Sequence, residues 1–161
     1  MTFKKIAVFT FLILFSIACN KKEDIALTQK DLLEYGIPLT VNIPVDAKIT
    51  KGNAGLIPEV YIEDSTSYFN IQINTLPATT TDVTKVKAEI MGEVKIDPYF
   101  TKLVQEDRDG FIYETTVDST AISYHFKHCV VQGDNTYIFE NSLISQPSLE
   151  EAQFMYETVR K

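Results

Sequence analysis

FTKLVQEDRDGFIYETTV, residues 100–117, is the stretch on which the fold turns. Two apolar-rich runs, 100–106 and 111–117, flank Asp107-Arg108-Asp109-Gly110, a turn sequence with glycine where a positive φ angle is cheap. They read as an antiparallel hairpin. Downstream, 121–132 and 136–141 form a second hairpin around Gly133-Asp134-Asn135. Ser148-Leu149-Glu150-Glu151 then has the spacing of a capping box, and Leu149, Ala152, Met155, Tyr156 and Val159 recur on one face of a C-terminal helix. Upstream, Val83, Val86, Ile90 and Val94 recur at helical spacing, with Lys85, Lys87, Glu89 and Glu93 at the exposed positions; any of Thr79, Thr80 and Thr81 can cap this central helix, and Pro98 stops it. Before it, 39–43 reads as a strand ended by Pro44, 51–55 as a turn, 59–63 as a second strand and 68–74 as a third, closed by Pro77. Thr28 to Asp31 has capping-box spacing ahead of Leu32 and Leu33, which predicts a short helix over 29–35 stopped by Gly36 and Pro38. Hairpins with helices between and after them make an α+β fold: an antiparallel sheet flanked by a central helix and a C-terminal helix.

Composition narrows the function classes. The chain has 161 residues, 45% of them hydrophobic, with 6 glycines, 2 cysteines and a net charge of −7. A disordered chain would be poorer in apolar residues, a collagenous one far richer in glycine and a disulfide-stapled miniprotein richer in cysteine. The acidic balance and the lack of a basic stripe argue against nucleic acid as a partner, because phosphate neutralisation needs clustered Lys and Arg. No internal repeat or low-complexity run interrupts 28–161, which reads as a single domain.

The N-terminus reads as an address. Lys4 and Lys5 precede IAVFTFLILFSIA, residues 6–18, an uncharged run that as a helix would span roughly 20 Å against a hydrocarbon core of about 30 Å. That is short for a retained membrane helix and suits a signal peptide. The run ends in Ser16-Ile17-Ala18-Cys19, which resembles the lipobox of bacterial lipoproteins. The resemblance implies cleavage between Ala18 and Cys19, diacylglycerol on the Cys19 sulfur and N-acylation of the new terminus. Two or three acyl chains, at about 0.8 kcal/mol per buried methylene, would hold a domain on a membrane where one chain is marginal. Residues 1–18 are thus expected to be removed and 19–27 to serve as a lipidated tether. Loss of Lys4 and Lys5, two of the 15 basic residues against 22 acidic ones, takes the net charge from −7 to −9. Asn20-Lys21-Lys22-Glu23-Asp24 loosely resembles the acidic export signal of surface lipoproteins and also suits a plain solvated linker.

The order of elements suggests a second resemblance. Strands near Ile43-Pro44, a central helix, the Asp109-Gly110-Phe111-Ile112-Tyr113 hairpin with its aromatic strands, a further strand pair and a closing helix look like the PsbP-like α/β/α sandwich, which also occurs in small envelope lipoproteins. The likeness covers roughly 36–160. It implies an accessory or assembly role, and it carries over no catalytic, cofactor or metal residue.

Several residue groups invite chemistry. His125 and His128 have an H-x-x-H spacing, but on a strand residues three apart point to opposite faces, which disfavours joint metal binding. His125 and Cys129 share a face about 13 Å apart, too far for a thiolate–imidazole pair. With Cys19 consumed by lipid, Cys129 has no disulfide partner and reads as a small buried residue; His128 reads as a buried or half-buried histidine. Asp107-x-Asp109-Gly110 has the opening of a calcium loop without its third acid or distal Glu, so a turn is expected, with Glu106, Asp107 and Asp109 as an exposed acidic tip. Tyr61, Tyr68, Tyr99, Tyr113, Tyr124 and Tyr137 fall in or beside strands, where some can face outward for recognition.

The expected function is therefore a non-enzymatic envelope lipoprotein, lipid-anchored at Cys19 and expected on the outer membrane, acting as an accessory or assembly module for a protein partner. A lipoprotein binding a small ligand or cation in a cleft between the sheet and the C-terminal helix is the alternative. A hydrolase with an unrecognised carboxylate pair comes third. No cofactor is expected.

Overall fold

The computed structural model describes residues 25–52, 58–118, 121–142 and 145–160. The signal segment, Ala18 and Cys19 lie outside the described residues, as do positions 53–55 of the expected turn. The hairpin reading of 100–117 holds: strands β6 (Phe100–Glu106) and β7 (Gly110–Thr116) pair antiparallel. The later hairpin follows as β8 (Ile122–Gln132) and β9 (Asn135–Asn141), with Gly133 at φ 60° in the two-residue turn. Earlier in the chain come β1 (Leu27–Asp31), β2 (Thr40–Pro44), β3 (Lys48–Lys51), β4 (Glu59–Asp64) and β5 (Phe69–Pro77). Helix α1 (Val83–Lys95) lies between β5 and β6, and α2 (Leu149–Val159) closes the chain.

One seven-stranded sheet runs β3-β4-β5-β9-β8-β7-β6, every neighbouring pair antiparallel, and β1 and β2 form a separate antiparallel ribbon. The chain lays down β3 to β5, crosses through α1 to the far edge, and returns strand by strand until β9 closes against β5. This is an α+β architecture with a large antiparallel sheet and two helices.

Alternation along the strands divides the core. Ile62, Ile71, Phe139, Phe126 and Ile112 share one face, which packs on Ala152, Met155, Tyr156 and Val159 of α2 and on Leu32, Val41 and Ile43 at the ribbon. Phe111, Tyr113, Cys129 and Ile138 are buried on the opposite face. Helix α1 lies on that side, because its Lys87 Nζ reaches Glu106 Oε1 at 2.6 Å and Glu106 stands opposite Phe111 in the ladder.

Four local expectations are corrected. Residues 28–31 are strand, paired with 40–43, and only Leu33–Tyr35 turn as a 3-10 helix ended by Gly36 at φ 91°. No side chain caps that turn: Asp31 Oδ1 accepts from Leu33 N at 2.9 Å just before it, and Thr28 is paired with β2. The α1 cap is Asp82, whose carboxylate accepts from Thr84 N at 3.0 Å; Thr80 only supports Asp82 from behind, its hydroxyl accepting from Asp82 N. Lys87 is buried, not exposed, since α1 tilts that residue toward Glu106. Strand β3 went unread because four residues with lysine at both ends show little alternation, yet lysines suit a sheet edge.

Candidate functional site

The β6–β7 turn, the middle of β8 and the last turn of α2 meet at one end of the sheet. Asp107 N donates to Gly110 O at 2.8 Å and closes the turn, while Asp109 O accepts from Cys129 N at 2.7 Å and ties it to β8. Asp107 turns toward α2. Its Oδ2 accepts from Tyr156 Oη at 3.0 Å and from Gln105 Nε2 at 2.8 Å, and its Oδ1 lies 3.3 Å from Arg160 Nη2. Partial burial opposes ionisation of Asp107, but those two hydrogen bonds and the Arg160 charge outweigh it and hold the carboxyl below its ordinary range. Arg160 also stacks over the Tyr156 ring, 4.9 Å from its centroid, and pairs with Glu157 at 3.1 Å.

His128 sits between the rings of Phe139 and Tyr156, 5.8 and 6.2 Å away, with 5% of its side chain exposed. Its Nδ1 is fully buried without a hydrogen bond among the described residues, and the nearest charge is Asp109 Oδ1 at 3.8 Å, beyond bonding distance. Burial lowers its proton affinity and outweighs the charge and backbone of Asp109, which pull the other way, so the imidazole is neutral at pH 7. Burial likewise pushes the Cys129 thiol up to about 12, which makes it inert as a nucleophile.

His128 opens on a cleft of about 450 Å³ between the sheet, β2, the start of α1 and the end of α2. Thr81, Arg108, Asp109 and Arg160 supply its polar wall; Val41, Val130 and Val159 supply apolar wall. Arg108 is exposed, and no carboxylate among the described residues pairs with its guanidinium. The cleft is of metabolite size and more polar than apolar in its exposed lining, with several polar groups converging on it.

The sequence-named residues divide. His128, Asp109 and the backbone of Cys129 come together here. His125 does not: it lies on the opposite face, stacked on Tyr113 at 5.4 Å, with Nε2 3.1 Å from Thr115 Oγ1 and Nδ1 2.9 Å from Asn141 Nδ2. Both its nitrogens are satisfied, so it is a core histidine. The expected acidic tip is not a cluster either, because Glu106 pairs with Lys87, Asp107 with α2, and Asp109 faces His128. Of the tyrosines, Tyr68 and Tyr99 are exposed, whereas Tyr113 and Tyr137 are buried and offer no recognition surface. Sequence reasoning passed over Arg108, Thr81 and Arg160, and only the Asp-Arg-Asp-Gly turn could have drawn attention to the first.

No family model, curated protein or solved structure matches the chain.

Proposed function

We propose that the chain is a lipid-anchored protein of the bacterial cell envelope, held on the outer membrane by acyl groups on Cys19 after cleavage behind Ala18, and that its domain binds a small ligand in the cleft beside His128. The carrying observation is the cleft itself, whose wall brings the His128 imidazole beside Arg108, a cation with no carboxylate partner among the described residues. The sequence alone favours a protein partner; the cleft moves a small ligand ahead. The layering, with α1 on one side of the sheet and α2 and the β1–β2 ribbon on the other, supports reading the domain as a PsbP-like sandwich.

The accessory, partner-binding reading keeps one observation in its favour. The β4–β5 half of the outer sheet face presents Tyr61, Glu59, Gln72 and Asn74, ordered by hydrogen bonds from Tyr61 to Glu59 and from Gln72 to Asn74. A photo-crosslinker placed at Gln72 should then trap one discrete partner in intact cells.

The small-ligand reading is tested with the full chain, purified from membranes in detergent, by thermal shift against a metabolite panel. Arg108→Ala should leave the unliganded melting temperature in place and remove the ligand-induced rise. A flat response across the panel would sink it.

A further inference from the structure

Taking the cleft as the binding site, on which this inference rests, we propose that its ligand is a small organic monoacid: a carboxylate held by Arg108, a hydrogen-bond donor received by His128, and an apolar body. The charge assignment comes from which cation is already committed. Arg160 is engaged by Asp107, Glu157 and the Tyr156 ring. Arg108 has no such partner among the described residues, and its planar fork matches a carboxylate in two parallel bonds. Helix α1 begins on the same cleft, through Thr81 and Val83, and only the Asp82 cap offsets its positive end, since its first turn holds no acid. A thirteen-residue helix directs a partial positive charge from that end, where Thr84 N donates to Asp82 Oδ1 and Lys85 N and Val86 N donate to Asp82 O.

His128 sets the second requirement. The Asp109 carboxylate 3.8 Å from Nδ1 favours the tautomer with its proton on Nδ1. Nε2 is then the acceptor that this lining residue can offer a ligand. A hydroxyl or ammonium group satisfies it. A second carboxylate does not, because it brings no proton and meets the Asp109 charge. Val41, Val130 and Val159 give the cleft a small apolar patch, room for a short aliphatic group to leave water.

The test uses the full chain in detergent, with the Arg108 Nε–H and His128 ring resonances followed by NMR. Titrants are 2-hydroxyisocaproate, leucine, 4-methylpentanoate, which lacks the donor, the methyl ester of 2-hydroxyisocaproate, which lacks the charge, and malate, which adds a carboxylate. The hydroxy acid or the amino acid should shift both resonances and bind about tenfold tighter than the ester, the donor-less acid and malate. Whichever of the two binds tighter names the donor. Arg108→Ala should reduce the acid to the affinity of the ester, and Arg108→Lys should restore part of the difference. An ester that binds as tightly as the acid while still shifting His128 overturns the monoacid and leaves the cleft as the binding site. If no titrant moves either resonance, both the monoacid and the cleft reading fall.

Discussion

Gly110 stands where β7, β8 and α2 come together, and its need for glycine is steric. A Cβ built there would lie 2.6 Å from Lys127 O and 2.7 Å from Tyr156 Oη, one of them backbone and the other held by Asp107. Asp-Gly reads in sequence as a turn wanting a positive φ, but among the described glycines only Gly36 and Gly133 have one. Gly110→Ala should therefore cost about 1–3 kcal/mol, the usual range for overpacking, seen as a lowered urea midpoint. His128 and His125 give a pH dependence. Burial lowers the proton affinity of both below the unfolded value near 6.5. Between the folded and unfolded values the unfolded chain binds more protons, so stability rises with pH through that window and is lost as pH falls below about 6.5. The urea midpoint should drop from pH 7 to pH 5, before most carboxylates titrate, and the drop should shrink in His128→Phe. Equal midpoints at the two pH values would contradict neutral burial.

Elements whose signals are local were legible. Ser148 Oγ accepts from Glu151 N, and Glu151 Oε2 accepts from Ser148 N at 2.7 Å, the reciprocal box that four residues of sequence announce. Ser148→Ala should lower stability by about 1 kcal/mol in chemical denaturation, with α2 still formed. The 3.6-residue recurrence of Val83, Val86, Ile90 and Val94 was legible for the same reason, although only Val86 is fully buried because α1 covers part of one sheet face. Strands β1 and β3 were not legible. Each is short, and each is strand because a partner lies beside it: Thr28 to Asp31 along β2, Lys48 to Lys51 along β4. A capping-box spacing at 28–31 cannot compete with ladder bonds supplied from a dozen residues away. The sheet edges follow the same logic: β3 carries Lys48 and Lys51, and β6 carries two register breaks, both of which discourage edge-to-edge pairing.

For the whole molecule, the anchor and the cleft lead to separate experiments. Cys19→Ser should abolish acyl incorporation and move the protein from the membrane to the soluble fraction; an unchanged membrane fraction would refute the anchor. Ligand binding in the cleft should survive that change, since Arg108 and His128 belong to the folded domain. The sequence by itself determined the hairpins, the two helices and the α+β class, because periods of 2 and 3.6 and turn and capping residues act over a few neighbours. It also placed His125 and His128 on opposite faces, which the strand's alternation guarantees. Only the tertiary structure decided that β9 inserts between β5 and β8, that Gly110 lies against Tyr156, and that Arg108, His128, Thr81 and Val159 surround one cleft. Those residues come from well-separated stretches of chain, and their distance apart is set by how the sheet and helices pack.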